Sequence, residues 1–225
     1  GGNPGAAGSS GTVSYGIIAS SPSGFSVAEV LSTSATFSWQ AKAGAEWGQS
    51  VKYFPALSVK QFRLYRSTTA IPFGDYYMGV SAADSAVSAV EEGLTPDTTV
   101  YRMLTAYTDF GDSAPSAVIT TVTFAAPPAG AWFSSVSSAS LTFAWSSGTV
   151  SEGFNPAYTA YEVSRSSVPG FGAGVSAAFT TGLSSDTKGL EPNTTYYFSV
   201  RAQGLNSAYT SATPVLSTPT LAAVP

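Results

Sequence analysis

Apolar residues in this chain recur at alternate positions in short runs and almost nowhere at helical spacing. "SATFSW" (34–39) sets Ala35, Phe37 and Trp39 against Thr36 and Ser38, and "SLTFAW" (140–145) repeats the device with Leu141, Phe143 and Trp145. "FRLYR" (62–66) and "YEVSR" (161–165) place an aromatic, an aliphatic and an arginine at alternate positions. Such runs return about every ten residues between clusters of Gly, Pro, Asn, Asp and Ser, the rhythm of an all-β sandwich.

The pattern is written twice. "GLTPDTTVYRML" (93–104) returns as "GLEPNTTYYFSV" (189–200). Trp39 and Trp145 lie 106 residues apart, Arg66 and Arg165 lie 99 apart, and Pro96 and Pro192 lie 96 apart. The shrinking offset places insertions between strands, where loops tolerate them. A seam of an apolar residue, small residues and proline closes at Pro22, Pro128 and Pro225, and proline cannot continue a strand ladder. The expected division is an extension at 1–22, a first domain at 23–128 and a second at 129–225. Pro127 and Pro128 predict a short, stiff linker.

Three stretches resemble tandem fibronectin type III domains of a bacterial-type extracellular or surface protein. "PSGFSVAEVLSTSATFSW" (22–39) is similar to that family's first two strands. "GLEPNTTYYFSVRA" (189–202) resembles its turn from strand E into strand F, with Tyr196 at the tyrosine-corner position. "GDSAPSAVITTVT" (111–123) resembles the approach to its last strand. The resemblance implies two immunoglobulin-like β-sandwiches and little about activity. Trp39, Trp145, Leu94, Leu190 and Tyr196 are then core markers with no ligand role. The first copy departs from the family pattern: Val100 replaces the corner tyrosine, and Arg102 falls on the inward face. A local phase shift that turns Tyr101 and Met103 inward is expected; the alternative keeps Arg102 near an open edge with its head in solvent.

The extension carries one more strand-like run, "GTVSYGIIAS" (11–20), with Val13, Tyr15, Ile17 and Ala19 on one face. A lone strand leaves its backbone groups unpaired and needs a host sheet. Three hosts are open: a preceding domain of a longer array, the chain's own first domain, or a neighbouring molecule that accepts the strand. The donor-strand reading is preferred, and its head-to-tail contact would build a fibre. The absent initiator methionine and signal peptide lead us to expect a processed chain.

Composition narrows the chemistry. Charged residues make up 10% of the chain, and Ser and Thr about a quarter, so the surface is polar but nearly uncharged. Net charge is −4 and the Lys and Arg residues are scattered, which argues against nucleic acid as a partner. No apolar run is long enough to suggest membrane insertion. Cys and His are both absent, which removes the common nucleophile pairs and zinc sets. No catalytic residue, metal site or cofactor is expected. Asp109 and Asp112 read as a polar turn, and Glu91 and Glu92 as a solvated edge.

Two aromatic groups remain as candidate glycan or interface contacts: Trp47 and Tyr53 in an enlarged loop, and Phe73, Tyr76 and Tyr77 further on. A subunit interface is preferred over glycan binding. Asn193 heads an Asn-Thr-Thr glycosylation sequon. The resulting expectation is a non-enzymatic, extracellular structural subunit that associates with itself. The alternative is an adhesin, or a carbohydrate-binding or spacer module of a larger secreted protein.

Overall fold

The computed structural model describes residues 20–40, 59–67, 77–109 and 111–223, with backbone only for 77–81. Val13, Tyr15, Ile17, Ala19, Trp47, Tyr53, Phe73 and Tyr76 lie outside the described residues, and Tyr77 is described only as the first backbone position of a strand.

The first sandwich contains β1 (Ser26–Val30), β2 (Ser34–Ser38), β3 (Val59–Ser67), β4 (Tyr77–Ala83), β5 (Ser88–Glu92), β6 (Thr99–Thr108), β7 (Gly111–Asp112) and β8 (Ile119–Val122). One sheet runs β1-β2-β5; the facing sheet runs β4-β3-β6-β7, with β8 also paired to β6. The second contains β9 (Ala129–Val136), β10 (Ser140–Ser146), the ribbon β11 (Gly148–Thr149) and β12 (Gly153–Phe154), β13 (Ala160–Ser166), β14 (Ser176–Thr180), β15 (Ser184–Lys188), β16 (Thr195–Gln203) and β17 (Leu216–Pro219). Its sheets run β15-β10-β9 and β14-β13-β16-β17. All these pairings are antiparallel.

Alternation decides which side chains meet between the sheets. Ala35, Phe37, Trp39, Phe62, Leu64, Leu94, Leu104 and Ala106 form the first core. Leu141, Phe143, Trp145, Tyr161, Val163, Leu190, Tyr196, Phe198, Val200 and Ala202 form the second, joined by Ala125 from the seam. The second is the more aromatic: the Phe143 ring centroid lies 5.4 Å from that of Phe133 and 5.3 Å from that of Phe198. Trp145 meets Tyr161 edge-on at 5.6 Å. Such tilted and edge contacts suit the ring quadrupoles.

Two expectations fail at the same place. The β3–β6 register runs unbroken from Gln61↔Tyr107 to Ser67↔Tyr101, so no phase shift occurs and Arg102 stays inward, 4% exposed. Its head does not reach solvent either. Glu91, read as a solvated edge, sits opposite core residue Ala35 and is 1% exposed. Its carboxylate accepts from Arg102 Nε at 2.5 Å and Arg102 Nη2 at 3.0 Å, and Arg66 Nε lies 3.2 Å away. Each residue alone would be costly to bury; together they form a bidentate pair with a second arginine at its rim.

Several of the abundant hydroxyls serve the backbone. Where the chain leaves β6, Ser113 and Ser116 accept from the amides of Ala106 and Leu104, both at 3.0 Å. Thr210 and Thr213 do the same for Ala202 and Val200, at 3.0 and 3.2 Å. Amides that a straight ladder would leave unpaired are satisfied.

Candidate functional site

The repeated "PDT"/"PNT" turn needs left-handed backbone at its third residue after leucine: φ is 49° at Asp97 and 53° at Asn193. Asp and Asn are the non-glycine residues that accept this region most readily. The turns match bond for bond. Thr98 and Thr194 donate to the carbonyls of Pro96 and Pro192 at 3.0 and 3.1 Å. Thr123 and Thr220 donate to the carbonyls of Thr95 and Glu191, both at 2.7 Å. Asn193, the sequon residue, is exposed; Asp97 is 1% exposed.

The second sandwich covers Asp97. Asp97 Oδ2 accepts from Thr159 Oγ1 at 2.7 Å, and Oδ1 accepts from the Leu205 amide at 2.6 Å. The Tyr158 hydroxyl donates to the Asp97 carbonyl at 2.8 Å. Gly153 touches the same turn, because a Cβ there would lie 2.7 Å from Pro96 Cγ, closer than atoms pack. Its φ of +79° also favours glycine. Asn155 clamps the connecting segment: Oδ1 accepts from the Ala126 amide at 2.7 Å, and Nδ2 donates to the Ala126 and Ser147 carbonyls, both at 2.8 Å. Ser32 adds a hydrogen bond to Glu152 Oε2 at 3.3 Å. Beside this junction lies a groove of about 680 Å³, walled by Leu31, Phe124 and Pro127 on one side and Glu152, Asn206 and Tyr209 on the other.

Elsewhere, one sheet of each sandwich carries an acid–arginine–tyrosine group on its outer side. Arg63 Nη1 meets Asp112 Oδ2 at 3.1 Å and its guanidinium lies 3.5 Å from the Tyr107 ring centroid. Tyr65 and Thr105 also donate to Asp112, at 3.2 and 2.9 Å. Burial and the neighbouring Asp112 charge raise the Tyr65 phenol above its ordinary value. Arg201 meets Glu162 at 3.0 Å and stacks 4.0 Å from the Tyr209 centroid. Asp112 is thus a strand-to-strand tether, while Asp109 pairs with Lys60 at 3.3 Å, both exposed.

The core markers Trp39, Trp145, Leu94, Leu190 and Tyr196 are all buried. The Leu94 and Leu190 amides donate to the Thr33 and Ala139 carbonyls. The Tyr196 hydroxyl accepts from the Glu191 amide at 3.0 Å, and Val100 occupies the corresponding buried position without that bond. Among the described residues no cluster of acidic side chains is arranged to hold a metal ion, and no helix is long and apolar enough to cross a membrane. The Asp97 and Asn155 contacts went unread in the sequence. The one available signal was that Asp97 and Asn193 differ by a charge at matched turns.

No protein-family model matches the sequence, and no curated protein sequence matches it. Among solved structures, the chain is similar to a two-domain fibronectin type III segment of chicken tenascin, with a TM-score of 0.59 and 19% identity over 88% of this chain and 99% of that one. It also aligns with the FN1–FN3 domains of chicken CNTN1, at a TM-score of 0.41 and 15% identity over 91% of this chain and 67% of that one. With its paired sandwiches, tyrosine corner and repeated E-to-F turn, the chain has the fold of tandem fibronectin type III domains.

Proposed function

We propose that the chain is a non-enzymatic, extracellular structural subunit whose two sandwiches, dividing at residues 128 and 129, act as one stiff spacer. The observation that carries this reading is the buried Asp97 carboxylate, held by Thr159 and the Leu205 amide of the other sandwich. A flexible hinge would leave such a group in water; a buried one loses its partners whenever the domains part. Double electron–electron resonance between spin labels on the two sandwiches tests it. A narrow distance distribution that broadens in Asp97→Ala supports the spacer, and a broad one in the native chain contradicts it.

Assembly belongs to the same proposal: the run at 11–20 supplies a strand to the sheet of a neighbouring copy. The alternation of Val13, Tyr15, Ile17 and Ala19 and the scarcity of charge support it. Deleting residues 1–21 should abolish polymers in negative-stain micrographs, and polymers that survive the deletion would refute it. The second reading, a carbohydrate-binding or adhesive module, draws on the junction groove with Phe124 and Tyr209 in its walls. Sugar-dependent retention that Tyr209→Ala removes would favour that reading.

A further inference from the structure

Arg66 and Arg165 hold matching places. Arg66 lies opposite Arg102 across β3–β6, and Arg165 lies opposite Phe198 across β13–β16. The residue facing them from the other sheet is Glu91 in the first sandwich and Thr187 in the second, opposite Ala35 and Leu141 respectively. Arg66 therefore has a carboxylate 3.2 Å away. No ion pair among the described residues involves Arg165, whose guanidinium stands 5.8 Å from the Tyr196 centroid.

In the second sandwich Thr187 and Phe198 stand at the positions of Glu91 and Arg102, and a slot remains beside them. The slot, of about 200 Å³, lies between β14 and β15, floored by Phe198 and lined by Arg165, Lys188, Ser176 and Thr187. Asp186 is at its rim, engaged by the Thr142 hydroxyl at 2.7 Å. We infer that this slot binds a small carboxylate from outside, which meets Arg165 as the Glu91 carboxylate meets Arg66 in the first sandwich. Arg165 supplies the guanidinium fork, Lys188 a second positive charge, and Ser176 and Thr187 hydroxyl donors. The volume limits the occupant to one ring or one side chain, so the carboxylate comes from an acidic monosaccharide or an acidic amino acid. Asp186 repels a densely charged polyanion.

Titration of the ¹⁵N-labelled full chain with sodium glucuronate, and separately with N-acetylglutamate amide, tests the site by NMR against glucose at matched ionic strength. Saturable shifts confined to the signals of Arg165, Ser176, Thr187 and Lys188 are expected from at least one acid, and the responding acid identifies the source. Arg165→Gln should weaken binding about tenfold or more, the loss of a charged hydrogen-bond partner. Lys188→Gln should weaken it about twofold to fivefold, as for an exposed charge. Thr187→Glu should abolish binding by supplying the carboxylate from within; if that variant does not fold, the other two still decide. No saturable shift with either acid, unchanged affinity in Arg165→Gln, or the same shifts with glucose overturns the site.

Discussion

At the level of Arg66 in the first sandwich and Arg165 in the second, two interiors built on one plan use different chemistry. The first places Glu91 and Arg102 between its sheets, each at most 4% exposed. The second places Thr187 and Phe198 there, with Phe198 packed 5.5 Å from Phe133. A pair of charges and a pair of neutral residues thus occupy the same pair of positions. The substitution works best as a set, because Arg102 alone would be stranded in the core and Glu91 alone would keep only the contact with Arg66. The turns differ in the same way: Asp97 is charged where it meets a partner domain, and Asn193 is neutral where it is exposed.

Replacing one member of the set should produce the largest effect. Glu91→Gln leaves Arg102 without its counter-charge and should destabilise the first sandwich by about 3–5 kcal/mol, read by urea unfolding. The double change Glu91→Thr with Arg102→Phe installs the second sandwich's pair and should recover most of that loss. A double variant as unstable as the single one would show that the charges are required for their own sake. Asp97→Ala should cost on the order of 2–3 kcal/mol, through loss of charged hydrogen bonds across the junction. Tyr196→Phe, by removing the corner hydroxyl, should cost the second sandwich about 1 kcal/mol in the same measurement; the equivalent first-sandwich position is already Val100.

The sandwiches share an alkaline sensitivity, since the Tyr65 and Tyr161 phenols are both raised. Burial raises the Tyr161 phenol above its ordinary 10.0, an effect that the Asn155 hydrogen bond partly opposes. An acid with a raised folded-state pKa keeps its proton longer when folded. Its stabilising contribution is therefore complete below pH 10 and lost as pH climbs through the folded value. Alkaline unfolding of the second sandwich should begin there and be blunted in Tyr161→Phe. Smallest of all, Arg63→Gln should change stability by about 0–1 kcal/mol, since the Arg63–Asp112 pair is partly solvated.

Much of this architecture is legible in the residues. Alternation in "SATFSW" and "SLTFAW" marks the inner strands, and the repeated turn marks a repeated unit, because backbone sterics and burial act locally. Alternation put Arg102 on the inward face, but the phase shift expected to move it off that face does not occur. The expectation failed because its partner was not legible: Glu91 lies on the opposite sheet, and adjacent acids in a strand look alike without the register. The junction was hidden for a related reason. Asp97, Thr159 and Leu205 are far apart in sequence, and a turn residue reads as solvated until the domain above it is placed. The hydroxyl excess suggested an uncharged surface, whereas several of those hydroxyls serve buried amides.

Residual dipolar couplings on the intact, weakly aligned chain test the stiff junction most directly. One alignment tensor should fit the amides of both sandwiches in the arrangement fixed by Asp97, Tyr158 and Thr159. Two tensors of different magnitude or orientation would contradict it.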